Sequence, residues 1–455
     1  MATSREASSP QESAGRPAGE GSDGTQSVST APAGAVGTGL PPLPGGRVAL
    51  LVAATFGVAM ALMVPMAFSL ALRADHLAPG DEAAVGYILG IGSALSLVTA
   101  PPIGTLSDRT RSRLGRRMPY LIGGGVLGMA ALVTMAYAPN IAVLGLGWAM
   151  ASLGWGTALG ALGSIQADRL PPSQRGKVAG LTGATTMVAP VVGVLLVGTV
   201  SHDHLLVFLL PGIVGAVLLT LLVVLFREPD SRTDTVPVGL TTGHVLRSYV
   251  FDPRAHPDFA WHLLARFVFY YGQSLYTSFV TFFYADRLDL TLVEVSGLVA
   301  VSGGISVLAM TAGTLGSGYL SDQLGRRRPF ALVAAAVFLS GAVVSAWAHT
   351  LPGLLAGAAL MNLGIAVFSA SSQATVLDIL PERETDAGRF LAIVTLSQKI
   401  PGALAPLTAP LLITIGATGA GGAAGEENYT LLYLSSGVLG LLGGLIAFFR
   451  VRGVR

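Results

Sequence analysis

The chain has 455 residues, of which 52% are hydrophobic and 11% are charged, and its formal net charge is +2 at pH 7. Soluble domains carry about 25% charged residues, so this composition excludes an ordinary soluble protein and predicts a chain that crosses a membrane many times. The net charge is too small to indicate nucleic-acid binding, and the absence of cysteine excludes disulfides, thiolate catalysis and cysteine-ligated metals.

The first 45 residues differ in composition from the rest of the chain, because Ser, Gly, Ala, Pro and Glu dominate them. A segment of this kind cannot bury enough apolar surface to offset the entropy of ordering. Residues 1–45 are therefore predicted to be a disordered tail.

The remainder is predicted to be an all-α polytopic membrane protein. A spanning helix requires about 20 mostly apolar residues, and helices satisfy their own backbone groups in hydrocarbon. By this rule the sequence contains twelve spans: 48–72, 84–106, 119–138, 140–164, 179–200, 205–226, 259–284, 293–319, 329–348, 352–377, 389–414 and 429–449. The polar interval 227–258 is predicted to be a central cytoplasmic linker between an N-terminal six-helix bundle, 46–226, and a C-terminal one, 259–455.

The arginines alternate between the two sides of the predicted membrane. The loops on one side hold most of them, whereas the loops on the other side hold only Arg73 and Arg287. Loops rich in Lys and Arg remain in the cytoplasm. We therefore expect both termini to be cytoplasmic and the protein to lie in the plasma membrane of its cell.

A charged loop occurs twice. The first copy, Gly104–Tyr120, joins spans two and three, and the second, Gly318–Phe330, joins spans eight and nine. Gly104 and Asp108 correspond to Gly318 and Asp322 by their spacing. The repetition indicates a tandem duplication, with two pseudo-symmetric halves of six helices each.

In these features the sequence resembles the major facilitator superfamily, which has twelve spans in two halves and a signature of the form Gly-x-x-x-Asp-Arg…Gly-Arg-Arg in loop 2–3. The first copy is longer than the usual signature, with six residues between Asp108 and Gly115. Its form, Ser-Asp-Arg-Thr-Arg-Ser-Arg-x-Gly-Arg-Arg-x-Pro, is similar to that of the sucrose-type and glycoside–cation symporter branch.

The resemblance implies a conformational latch. In the family the first aspartate lies near the N-terminus of span eleven and its counterpart lies near span five, so each contacts the other half only while the cytoplasmic side is closed. The small residues allow a close helix approach. The predicted latch residues are Gly104, Asp108, Arg109, Arg116, Gly318, Asp322, Arg326 and Arg389. The alternative is that the arginines only fix the topology.

Polar residues recur along one face of span seven, at Arg266, Tyr270, Gln273, Thr277, Thr281 and Tyr284. Such a stripe is unfavourable towards lipid, so it is expected to face the bundle interior. Similar groups occur in span four (Trp148, Ser152 and Trp155) and in span ten (Asn362, Ser369 and Gln373). These spans line the substrate cavity in the family. Aromatic rings with amides and hydroxyls suit a sugar, although hydrogen bonds between helices remain the alternative.

Lys399 lies within a predicted span, roughly 15 Å from Arg389 along a helix. An intramembrane charge indicates a functional role by default, so Lys399 is added to the predicted cavity. No Asp or Glu occurs within a span away from its ends. The group that would carry a coupling ion is therefore not identified by the sequence.

The predicted function is secondary active transport by alternating access, with a sugar or glycoside imported together with H⁺. A drug or metabolite efflux antiporter and a non-transporting sensor remain alternatives. We expect no enzymatic activity, no cofactor, no metal site and no nucleic-acid partner. The expected partners are a small-molecule substrate and the lipid bilayer, the coupling ion is H⁺ or Na⁺, and the protein is expected to act as a monomer.

Overall fold

The computed structural model describes residues 42–79, 81–200, 203–226, 228, 230–232, 251–324, 328–379, 381, 387–415 and 428–451. Residues 1–41 of the predicted tail and most of the predicted central linker lie outside these residues, whereas 42–45 are described and α1 begins at Gly45. All the regular structure in the described part is helical, as predicted from the sequence.

The first half contains seven α-helices and one short π-helical turn. They are α1 (Gly45–Val64), the turn Pro65–Ser69, α2 (Leu70–Leu77), α3 (Glu82–Arg109), α4 (Met118–Ala136), α5 (Ile141–Arg169), α6 (Pro172–Gly198) and α7 (His204–Leu225). Side-chain oxygens cap three of these helices, because Asp81, Asn140 and Asp203 each accept a hydrogen bond from a backbone N–H in the first turn that follows.

The second half also contains seven described helices. They are α8 (Pro257–Ser278), α9 (Val280–Leu288), α10 (Leu292–Leu324), α11 (Arg328–Trp347), α12 (Leu351–Ile379), α13 (Ala387–Thr414) and α14 (Tyr429–Arg450). We call the end of the bundle that carries Arg109, Arg169 and Arg450 the basic face. The end that carries Glu82 and Ile141 is called the opposite face.

Eleven helical segments of the described chain are long and apolar enough to cross a membrane. The exception among the predicted spans is the seventh, which consists of α8 and α9 and is interrupted at Phe279. Its polar stripe lowers its apolar character, and the interruption divides it into two shorter helices. The predicted span 259–284 is therefore helical, but it is divided into two consecutive helices.

Glycines allow close helix packing at corresponding places in the two halves. A Cβ atom at Gly154 of α5 would lie 2.5 Å from the backbone N of Gly128 in α4. In the second half, a Cβ atom at Gly341 of α11 would lie 2.6 Å from the backbone N of Met361 in α12. Both contacts are too short for any side chain, so these positions require glycine for close helix–helix packing.

The two halves contact each other near the opposite face, chiefly through α3 with α13 and α6 with α10. A Cβ atom at Gly86 of α3 would lie 2.5 Å from the carbonyl O of Pro406 in α13. A hydrogen bond also joins the halves there, since Thr281 Oγ1 donates to the carbonyl O of Ala67 at 2.8 Å.

Near the basic face the same helices are separated. At Gly104 of α3, Gly180 and Gly183 of α6, and Gly316 of α10, an added Cβ atom would meet no atom of the described residues within 4 Å. The bundle is therefore closed at the opposite face and open towards the basic face.

Candidate functional site: a cavity between the two halves

A cavity of about 700 Å³ lies between the two halves. Its polar lining consists of serine, threonine and tyrosine hydroxyls, the amide of Asn362 and the ammonium group of Lys399. Much of the remaining wall is apolar and includes four methionines, Met63, Met66, Met187 and Met310. A cavity of this size with a few polar groups is typical of small-molecule sites.

Hydrogen bonds within the wall fix several of these polar groups. The amide nitrogen of Asn362 lies 2.9 Å from Ser306 Oγ and 3.3 Å from Tyr276 Oη. The hydroxyls of Tyr284 and Ser302 are 2.8 Å apart. Because the groups bind each other across α8, α9, α10 and α12, they hold the cavity wall in one arrangement.

A second cavity, of about 420 Å³, lies nearer the basic face. Its walls include Ser107 and Arg117 at the end of the bundle that carries the charged loop. The two cavities share Ser96 and Lys399. Lys399 therefore lies at the junction between the central cavity and the space that opens towards the basic face.

The structure brings five of the thirteen predicted cavity residues to these two cavities. Thr277, Tyr284, Asn362 and Lys399 line the central cavity, and Ser152 lines the second. The other eight line neither cavity: Trp148, Trp155, Arg266, Tyr270, Gln273, Thr281, Ser369 and Gln373.

The two tryptophans pack within the first half. Trp155 is fully buried, and its indole ring lies against Gly128 of α4. Trp148 is 2% exposed and lies beside Gly92 of α3. In the second half, Ser369 and Gln373 are exposed and line neither cavity.

Sequence reasoning missed Tyr276 and Ser96, which line the central cavity. Tyr276 directly precedes Thr277 and lies outside the narrow stripe that the helical period selects in span seven. A wider face would have included it. Ser96 belongs to α3, and the sequence prediction included no polar stripe in that span. Ser93 of the same helix also lines the central cavity.

Arg266 forms a buried cluster between α8, α12 and α13. Its Nη1 donates to Ser372 Oγ at 2.6 Å, and its Nε donates to Ser397 Oγ at 3.1 Å. The guanidinium lies 5.1 Å from the centroid of the Tyr270 ring. His262 Nε2 lies 3.1 Å from the same Ser372 hydroxyl. Arg266 therefore joins three helices through neutral partners.

The charged loop on the basic face is organised by Arg117. This side chain is 8% exposed and pairs with Asp108 at 2.5 Å and with Asp168 at 3.1 Å. Its Nη1 also donates to Ser107 Oγ at 2.9 Å. Glu228 accepts a hydrogen bond from the Arg117 backbone N–H at 3.0 Å, so the segment after α7 is connected to the same loop.

In this conformation Asp108 pairs with an arginine of its own loop. Gly104 has no neighbouring atom within 4 Å of an added Cβ, Arg109 is exposed and Arg116 is half-buried. The surroundings of Gly318, the side chains of Asp322 and Arg389, and the whole of Arg326 lie outside the described part of the structure. The latch remains a prediction, and the sequence did not single out Arg117 as its central member.

A family model of the Major Facilitator Superfamily matches residues 48–317 and 304–455. The chain belongs to this superfamily. This membership and the structural neighbours indicate a membrane transporter rather than an enzyme.

Two curated relatives match short segments. An uncharacterised symporter of Synechocystis is 40% identical over 72 residues, which cover 16% of this chain and 13% of that protein. A general alpha-glucoside permease of Schizosaccharomyces pombe is 36% identical over 88 residues, which cover 19% of this chain and 14% of that protein.

Solved structures of two transporters share the fold over most of the chain. A bacterial homologue of the human lysosomal transporter Spinster, in an inward-facing and unoccupied conformation, aligns with a TM-score of 0.70 at 15% identity and covers 90% of this chain and 98% of its own. A nucleoside transporter aligns with a TM-score of 0.72 at 12% identity and covers 89% of this chain and 100% of its own.

Proposed function

We propose that this transporter works by alternating access and imports a sugar or glycoside together with H⁺ across the plasma membrane. In this proposal both termini and the basic face are cytoplasmic. The central cavity binds the substrate, and the structure corresponds to the state that is open to the cytoplasm.

The observation that carries the proposal is the asymmetric contact between the halves. α3 packs against α13 near the opposite face, where Gly86 meets Pro406, but no described residue lies within 4 Å of a Cβ atom added to Gly104 at the other end of α3. A rotation of the halves about the cavity would exchange the open and closed ends. Rocking of one half against the other about a central site is the usual basis of alternating access.

The latch fits this cycle as a proposal. In the cytoplasm-open state Asp108 is paired with Arg117, and Gly104 has room beside it. Closure of the basic face would bring both residues against the second half. Two discrete sets of partners for one carboxylate would then define the two states, as expected of a bistable element.

The sugar class is supported by the hydroxyls and the Asn362 amide in the cavity, which match the hydrogen-bonding groups of a sugar. It is also supported by the name of the Schizosaccharomyces pombe relative, an alpha-glucoside permease. Coupled import is supported by the name of the Synechocystis relative, a symporter.

The test is uptake of radiolabelled maltose and sucrose by proteoliposomes that contain the purified protein. An inside-alkaline pH gradient is expected to drive accumulation above equilibrium, and a protonophore is expected to abolish it. A Na⁺ gradient at equal pH tests the other coupling ion. Accumulation driven by Na⁺ alone would show that Na⁺ is the coupling ion instead of H⁺. Extrusion of substrate against its gradient would show efflux instead of import.

Asn362→Leu is the matched cavity variant, because it deletes the amide that the wall holds in place. Ser340→Leu is the control, since Ser340 is exposed on α11 and its hydroxyl bonds only the carbonyl of Ala336 in its own helix. Asn362→Leu is expected to reduce uptake at least tenfold, while Ser340→Leu retains it. Equal uptake by both variants would contradict the proposal that the central cavity binds the substrate.

A further inference from the structure

Lys399 gives the central cavity a net positive charge. It is exposed to both cavities, and no described residue that lines the central cavity carries a carboxylate. Among the described residues of the second cavity, Arg117 is the only other charged side chain, and its guanidinium is already paired with Asp108 and Asp168. The unpaired charge that faces the substrate space is therefore cationic.

A cation at this depth in a membrane-spanning helix indicates a functional role. Charged side chains within membrane-spanning segments are rare and pair with other charges or line a pathway. Among the described residues, no ion pair or hydrogen bond engages the ammonium group of Lys399. The contrast with Arg266 is direct, because that cation is enclosed by two serine hydroxyls and an aromatic ring.

We propose that the substrate is an organic anion, with a carboxylate that binds Lys399 and a hydroxylated ring or chain that occupies the rest of the central cavity. This inference rests on the proposed function and narrows its substrate class from sugars in general to acidic ones, such as glycosides of uronic acids. The Asn362 amide and the neighbouring hydroxyls receive the polar edge of the ring.

The rest of the wall suits the uncharged part of such a molecule. Met63, Met66, Met187 and Met310 supply flexible apolar surface, and methionine adapts to irregular shapes. A cavity of about 700 Å³ accommodates a molecule larger than a monosaccharide. A small inorganic anion would use the charge of Lys399 but would leave this apolar wall unfilled.

The experiment compares two ligands that differ in one group. 4-Nitrophenyl β-glucoside and 4-nitrophenyl β-glucuronide differ only by a hydroxymethyl group in place of a carboxylate. Their dissociation constants are measured by calorimetry on the purified full chain in detergent. The glucuronide is expected to bind about tenfold more tightly or better, because hydrogen bonds between charged groups are the stronger class.

The chain offers a matched control, because Lys177 is its other lysine. Lys177 is exposed on α6 and lines neither cavity. Lys399→Met is expected to reduce the preference for the glucuronide to about one, whereas Lys399→Arg and Lys177→Met retain it. A thermal unfolding midpoint equal to that of the parent protein shows that each variant is folded.

Two kinds of binding result would overturn the inference. The first is equal binding of both glycosides by the parent protein, or a preference that survives in Lys399→Met. The second is binding of inorganic sulfate as tightly as of the glucuronide, which would indicate that Lys399 binds a small inorganic anion. If Lys399→Met still takes up a neutral glycoside, this inference is contradicted but the proposed function is retained. If no sugar is transported at all, the proposed function itself is contradicted.

Discussion

The contact between Gly86 and Pro406 offers a direct test of the two-state interpretation. Gly86→Ala would place a methyl group 2.5 Å from the carbonyl O of Pro406, 2.9 Å from the Phe279 ring and 3.0 Å from the Pro410 ring. The first neighbour belongs to the backbone and cannot rotate away. The substitution therefore forces the two halves apart at the opposite face.

The magnitude follows from the cost of overpacking, which is typically ~1–3 kcal/mol in a well-packed core. Because this contact joins the two halves, the destabilisation applies to the state that is closed at the opposite face. A free-energy difference of that size changes the ratio of the two conformations by about 5- to 150-fold. Gly104→Ala on the same helix is the matched control, since its methyl group meets no atom within 4 Å in this conformation.

Distances between spin labels measure the two states. The chain contains no cysteine, so pairs of introduced cysteines label without background. Ser173→Cys with Leu377→Cys reports the basic face, and Ala142→Cys with His349→Cys reports the opposite face, because all four positions are exposed. Pulsed electron paramagnetic resonance in nanodiscs then gives the population of each distance.

Gly86→Ala is expected to lengthen the distance at the opposite face and shorten it at the basic face. Gly104→Ala is expected to leave both distances as in the parent protein or to strengthen the opening at the basic face. The reasoning would be refuted by parental distances in Gly86→Ala, or by the same shift in both variants.

The remaining predictions concern the two arginine clusters, and both are measured by unfolding of the purified protein in detergent. Arg117→Ala is expected to lower the free energy of unfolding by about 1–3 kcal/mol, because Asp168 and Ser107 lose a charged hydrogen-bond partner. Asp108 is 42% exposed, so solvent screens the stabilisation that its ion pair with Arg117 contributes. Arg109→Ala, at an exposed position, should match the parent protein, and equal loss in both variants would contradict the role of Arg117. Arg266→Lys is expected to cost about 1–3 kcal/mol, because an ammonium group cannot reproduce the planar fork that binds two serines. Arg266→Met should remain within about 1 kcal/mol of the parent because it removes the buried charge together with its hydrogen bonds, and a methionine variant less stable than the lysine variant would contradict this explanation.

The sequence by itself determined the membrane-spanning helical fold and the family. Length and apolar character of a segment are local properties, and they suffice to predict a spanning helix because hydrocarbon admits few other backbone structures. The charged loop at Gly104–Tyr120 was recognisable for the same reason, since its motif is contiguous. The predicted span 259–284 is divided at Phe279 into two consecutive helices, and its polar residues lower its hydropathy.

The tertiary structure decided which polar side chains reach the cavity. A polar stripe specifies one face of a helix but not the neighbour that this face meets, so Trp155 and Arg266 could be assigned to a cavity although they pack between helices. Rotation about each helix axis and the interruption at Phe279 are set by contacts between distant segments. Those contacts also leave Gly86 packed and Gly104 free on one helix, and they place Lys399 where both cavities meet. The sequence supplied these residues, but only the packing of the two halves gave them different environments.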